Sequence, residues 1–194
     1  MDAAVRQRIA ELHQSPYRCA LAVTGGGAGA AAWLLSVPGG SRTVLEAAVP
    51  YSEESLCEYL GRRPESFCSA ATSRDMAIRA QQRARWLAPG APTAGVGCTA
   101  SLRSDRPKRG DHRFHVSVHT GLRTTTHSLT LVKEARDREA EEFVLDRVLL
   151  NALAAAFGVS DRLSVPLLPG EEDVAETTME SAALCRFLAG ETLA

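Results

Sequence analysis

The apolar run Cys19-Ala20-Leu21-Ala22-Val23 ends in Thr24-Gly25-Gly26-Gly27, and the Ala-rich stretch Ala28–Leu35 follows at once. This order reads as strand, tight turn, helix start. Glycines bring backbone N–H groups close to whatever lies above the turn, and the free amides and dipole of a new helix favour an anion there. The Thr24 hydroxyl would stand at the C-terminal edge of a strand, where open α/β sheets place their ligands. The motif lacks the Lys and Ser/Thr of a P-loop and the spacing of a dinucleotide fingerprint. A structural turn, a phosphate cradle and the seat of a catalytic hydroxyl all remain open from these residues.

The remaining elements fit an α/β chain. Val5, Ile9 and Leu12 recur at helical spacing, so a charged amphipathic helix is expected to end near Ser15-Pro16. Gly26–Leu35 reads as a helix stopped by Ser36-Val37-Pro38-Gly39-Gly40, and Thr43–Val49 as a second strand running into Pro50-Tyr51-Ser52. Ser52 is placed to cap a helix through about Leu60. Thr72–Leu87 is a helix with Met76, Ile78, Ala80 and Trp86 among its apolar members. Ala94–Cys98 is the short, small-residue run of a central parallel strand ending at Thr99. Phe114–Val118 and Thr125–Val132 alternate like paired strands about Gly121. Arg136–Phe157 is the longest helix, Val165–Gly170 resembles a linker, and Val174–Leu188 is expected to form a last amphipathic helix. The expectation is a three-layer α/β/α sandwich with a mixed, partly parallel sheet over residues 1–160, then a linker and C-terminal helix over 161–194.

Composition narrows the function classes. A formal charge of −1 over 194 residues argues against general nucleic-acid binding, although basic residues gather in Arg103–Arg113. No stretch is long or apolar enough to span a membrane, and the N-terminus does not read as a secretion signal. The five cysteines are odd in number and lack CxxC spacing, as in a reduced cytoplasmic protein. Cys98 reads as a small buried strand residue rather than a nucleophile. His112, His115 and His119 lack metal-site spacing, since His115 and His119 share a strand face while His112 points elsewhere; no metal is expected. His112 or Arg113 remains as a phosphate contact. The chain has only two lysines, Lys108 in the polar loop and Lys133 at a strand end.

Four segments resemble the CinA C-terminal domain family in order and spacing. These are Val23-Thr24-Gly25-Gly26-Gly27, Val37-Pro38-Gly39-Gly40-Ser41, Tyr51-Ser52-Glu53-Glu54-Ser55-Leu56 and Thr99-Ala100-Ser101-Leu102-Arg103. They stand where the family carries E-S-C-T-G-G, V-P-G-S-S, Y-S-N-x-x-K and T-G-I-A-G-P. The resemblance spans about residues 8–158. It implies a nicotinamide-nucleotide amidase, which hydrolyses the carboxamide of nicotinamide mononucleotide to the acid and ammonia with no cofactor. Carried over, Thr24 falls on the family's serine nucleophile and Tyr51 on its assisting tyrosine. Gly25, Gly26, Gly27, Ser52, Thr99, Ser101 and Arg103 become substrate-binding candidates.

The departures matter. Leu56 stands at the family's lysine, Val23 at its glutamate, and the T-G-I-A-G-P counterpart has lost both glycines. Loss of general-base help costs about a hundredfold or more. The resemblance therefore implies either an amidohydrolase using Thr24 and Tyr51 or a catalytically inactive nucleotide-binding or scaffolding module. It also implies self-association. The long loop at 97–113 resembles a divergent branch found beside a nucleotidyltransferase-like domain.

Overall fold

The computed structural model describes residues 1–106 and 108–179. Six strands form one mixed sheet, β1 (Arg18–Thr24), β2 (Val44–Ala48), β3 (Thr93–Ser101), β4 (His112–His119), β5 (Arg123–Leu131) and β6 (Val174–Met179), in the order β2-β1-β3-β4-β5-β6. β1 runs parallel to β2 and β3, and the remaining pairs are antiparallel. α1 (Ala3–Leu12), α2 (Ala28–Ser36) and α6 (Arg138–Ala156) cover one face; α4 (Glu53–Leu60) and α5 (Ala70–Leu87) cover the other. The three-layer sandwich is as expected, and no helix of the described residues is long and apolar enough to cross a membrane.

The main core lies between the sheet and the α1, α2, α6 layer. It joins Leu21, Val23, Val96, Cys98, Phe114 and Val116 to Leu34, Leu145, Leu149 and Leu153. Alternate residues of β3 face α5, and there the packing takes another form. A Cβ at Gly95 would lie 2.0 Å from the carbonyl oxygen of Ala77, and one at Gly97 would lie 2.1 Å from that of Ser73. The α5 backbone therefore rests directly on the β3 backbone. Beside this contact a buried hydroxyl chain crosses from Ser73 to Ser117 (2.7 Å) and on to Thr126 (2.9 Å).

Local signals account for most boundaries. The Ser52 hydroxyl accepts from the Ser55 N–H and caps α4, and Ser69 caps α5 in the same way through the Thr72 N–H. Within the Gly-rich breaker a short helix, α3 (Gly40–Thr43), precedes β2. Trp86 lies on the open side of α5 and is 71% exposed, so it is not a core member. The helix expected from Val174 is a correction: 174–179 pair antiparallel with β5 as β6, and the rest of that stretch lies outside the described residues. The β5 edge offers unpaired N–H and C=O groups, and Thr177 and Thr178 suit a strand. The linker at 165–170 is tied down as well. Arg136 donates to the Pro166 carbonyl and to Glu171, and Leu163 is buried in the main core.

β1 leads through α2 to β2 on one side, whereas β3 continues to β4 on the other. The order of the strands thus diverges between β1 and β3, and a crevice opens beyond their carboxyl ends, where Thr24 and Thr99 stand in register. Because no side chain separates α5 from β3, Gly97→Ala should destabilise the protein by about 3 kcal/mol in denaturant unfolding. Gly90→Ala, at a position with open space, should show only the smaller effect of a left-handed backbone angle.

Candidate functional site

Thr24 closes β1 with its side chain 9% exposed, and its hydroxyl has no hydrogen-bond partner among the described residues. Gly25 follows at φ +71°, with a built Cβ only 1.9 Å from the Ala100 carbonyl oxygen, so both the backbone angle and the space require glycine. Beyond the turn a cavity of about 350 Å³ is walled by Val23, Thr24, Gly25, Gly26, Ala28, Val49, Tyr51, Arg138, Glu139 and Glu142. Tyr51 stands at its lip, 69% exposed. The crevice therefore brings together Thr24, Gly25, Gly26 and Tyr51.

The other residues named from sequence lie elsewhere. Gly27 begins α2, and its N–H donates to Glu142 Oε1 at 2.6 Å. Ser52 is occupied as the cap of α4. Thr99 is fully buried, with its hydroxyl directed 3.5 Å to the Ser69 carbonyl on the α5 side. The Ser101 hydroxyl accepts from Lys108 Nζ, and the Arg103 guanidinium donates to the Arg136 carbonyl. None of these five lines the crevice. Leu56 is 1% exposed in an apolar cluster with Ala22, Leu60 and Met76. Cys98 is sealed, its thiol pushed well above the ordinary range by burial, as a small strand residue should be.

The residues that sequence reasoning missed come from α6. Arg138, Glu142 and Asp146 recur every four positions and so share one helix face, which meets the start of α2. Glu142 takes the Gly27 N–H, and Asp146 Oδ1 takes the Ala30 N–H at 2.8 Å. Arg138 Nη2 donates to the Gly25 carbonyl at 2.9 Å and to Glu142 Oε2 at 3.2 Å. The amides expected to cradle an external anion are thus engaged, at Gly27 and Ala30, by carboxylates of the chain itself. A signal for this was present: Asp146-Arg147 interrupts an otherwise apolar stretch between Leu145 and Val148. A charge inside such a stretch needs a partner.

Asp146 is 3% exposed, and burial pushes its carboxyl up to about 7; the Ala30 N–H opposes this and Glu142 adds to it. The ordinary value is 3.8, so between these limits the folded chain holds a proton that the unfolded chain has released. Stability therefore falls as pH rises through that window. Asp146→Asn keeps an oxygen acceptor for Ala30 and removes the titration. Urea unfolding of both proteins from pH 5 to 8 should show the variant gaining on the wild type up to about pH 7 and levelling off above it. A constant difference across that range would contradict the assignment.

No protein-family model matches the sequence, and no curated protein does. Solved structures do match. The competence/damage-inducible protein CihA from Agrobacterium tumefaciens is 15% identical at a TM-score of 0.64, over 83% of this chain and 98% of that one. A CinA superfamily protein from Enterobacter cloacae is 16% identical at 0.60, over 79% and 89%. Another from Klebsiella pneumoniae is 19% identical at 0.58, over 80% and 96%. The chain has the fold of the CinA superfamily.

Proposed function

We propose that this chain keeps the crevice of a CinA-like domain as a binding pocket for a small nucleotide-like molecule and does not perform the nicotinamide-nucleotide amidase reaction. The observation that carries this reading is Leu56. The position where the resemblance puts the lysine base is an apolar side chain, 1% exposed and packed on Ala22, Leu60 and Met76. Neither lysine of the chain lines the crevice. A threonine hydroxyl without a base is a poor nucleophile. Glu142, the carboxylate nearest the turn, already accepts from Gly27 and Arg138.

The walls that remain suit recognition. Tyr51 offers an exposed aromatic face on which a flat heterocycle can stack. Glu139 and Glu142 outnumber Arg138, which favours a neutral or cationic ring such as a pyridinium. Thr24 Oγ1 provides a hydroxyl that can donate and accept.

The second reading is amidohydrolysis with Thr24 as nucleophile and Tyr51 assisting. One observation favours it: the unpartnered Thr24 hydroxyl opens on the same cavity as Glu142. Ammonia release from nicotinamide mononucleotide, measured beside calorimetric binding, separates the two. The binding reading expects no release above background and binding that Tyr51→Ala weakens about tenfold. Release that Thr24→Ala abolishes would establish the amidase instead, and neither release nor binding would leave a scaffolding role.

A further inference from the structure

Both lysines of the chain, distant in sequence, line one cavity of about 160 Å³ between the loop after β3 and the turn from β5 to α6. Arg103 and Arg106 join them, against the carboxylates of Asp105 and Glu134. Lys133 Nζ donates to the carbonyls of Lys108 (2.9 Å) and Arg109 (3.3 Å), and Lys108 Nζ donates to the Leu102 carbonyl (2.7 Å) and the Ser101 hydroxyl (3.4 Å). All these partners are uncharged. Neither ammonium is paired with a carboxylate among the described residues, and each has three donors, so one remains on each.

The back wall is built. His112 is 6% exposed and lines the cavity. Its Nδ1 meets Glu141 Oε1 at 2.6 Å, and Glu141, fully buried, also takes the Arg103 backbone N–H through Oε2 at 2.6 Å. One carboxylate thus fixes both the imidazole and the loop. A carboxylate only accepts, so Nδ1 carries a proton; Nε2 has no partner among the described residues. Nε2 accepts in the neutral ring and donates in the imidazolium. Glu134, on the same cavity, is the single non-glycine residue with positive φ among the described residues, at 61°.

We propose that this cavity is an anion site for the phosphate or diphosphate group of a small-molecule ligand, held by Lys108, Lys133, Arg103 and His112. Its volume suits a phosphate group rather than a whole nucleoside. Cations from two segments that converge on a small cavity fit a compact, highly charged group better than a polymer, and the chain as a whole carries a formal charge of −1. Arg138 stands between this site and the crevice: Nη1 reaches the Arg103 carbonyl at 3.3 Å while Nη2 reaches that of Gly25 at 2.9 Å. Where the crevice holds the ring of a nucleotide, this cavity takes its charged end. That link rests on the binding reading above, whereas the anion site does not.

The test is calorimetric titration with inorganic pyrophosphate. Binding to the wild type that weakens with salt, falls about tenfold or more in Lys133→Gln and Lys108→Gln, and survives in Lys133→Arg is the expected result. Thermal unfolding of each variant checks that the loop change leaves the fold intact. Tyr51→Ala should bind pyrophosphate as the wild type does, so failure of the crevice reading leaves this result unchanged. Absence of pyrophosphate binding, or equal binding by both glutamine variants, overturns the proposal. So does binding of a single-stranded oligonucleotide in place of pyrophosphate, which would make the loop a nucleic-acid surface.

Discussion

Glu142 and Asp146 of α6 accept the N–H groups of Gly27 and Ala30 at the start of α2, and the crevice end of the sheet is organised around those two bonds. They join the first helix after the Gly-rich turn to the longest helix of the chain, across more than a hundred residues of sequence. A bond to an ionised carboxylate is about twice as strong as one to a neutral acceptor, a strength Asp146 gains only as pH rises through about 7. The two bonds also place acceptor oxygens where the α2 dipole favours negative charge. The same bonds give the turn a different character from the one its glycines suggest. Its dipole meets internal carboxylates, and the crevice is left mildly acidic.

Charge is sorted on either side of Arg138. Toward Thr24 and Tyr51 the walls carry Glu139 and Glu142; toward the loop after β3 they carry Lys108, Lys133, Arg103 and Arg106 against Asp105 and Glu134, a surplus of cations. Arg138 bonds to backbone carbonyls of both regions and is neutralised in part by Glu142. A molecule with an electropositive ring and an anionic tail matches that division. A free carboxylate or phosphate in the crevice alone would face two like charges.

Much of the architecture was legible in the residues. The Thr24 turn, the Ser52 cap and the small residues of β3 each have a local physical cause, and each stands where pattern and spacing put it. What sequence missed was long-range. β6 is a strand because β5 has an open edge, not because Val174–Met179 insists on it. Thr99 turned inward because consecutive β3 residues alternate faces and α5 occupies one of them. Glu142 and Asp146 lie in a helix whose other buried members are mostly apolar, and their partners stand more than a hundred residues away. Lys133 is exposed and Lys108 half-buried, and only the turn geometry shows that the two share a cavity.

The contact of α5 with β3 has a mechanical meaning. Side chains between two elements act as a compliant layer that can shift rotamers and let the elements slide. At Gly95 and Gly97 that layer is missing, and main chain meets main chain. Helix and strand are thereby geared together as one stiff plate under the crevice. Any yielding of the crevice wall then falls to the opposite lip, where Tyr51 sits on the short segment between β2 and α4.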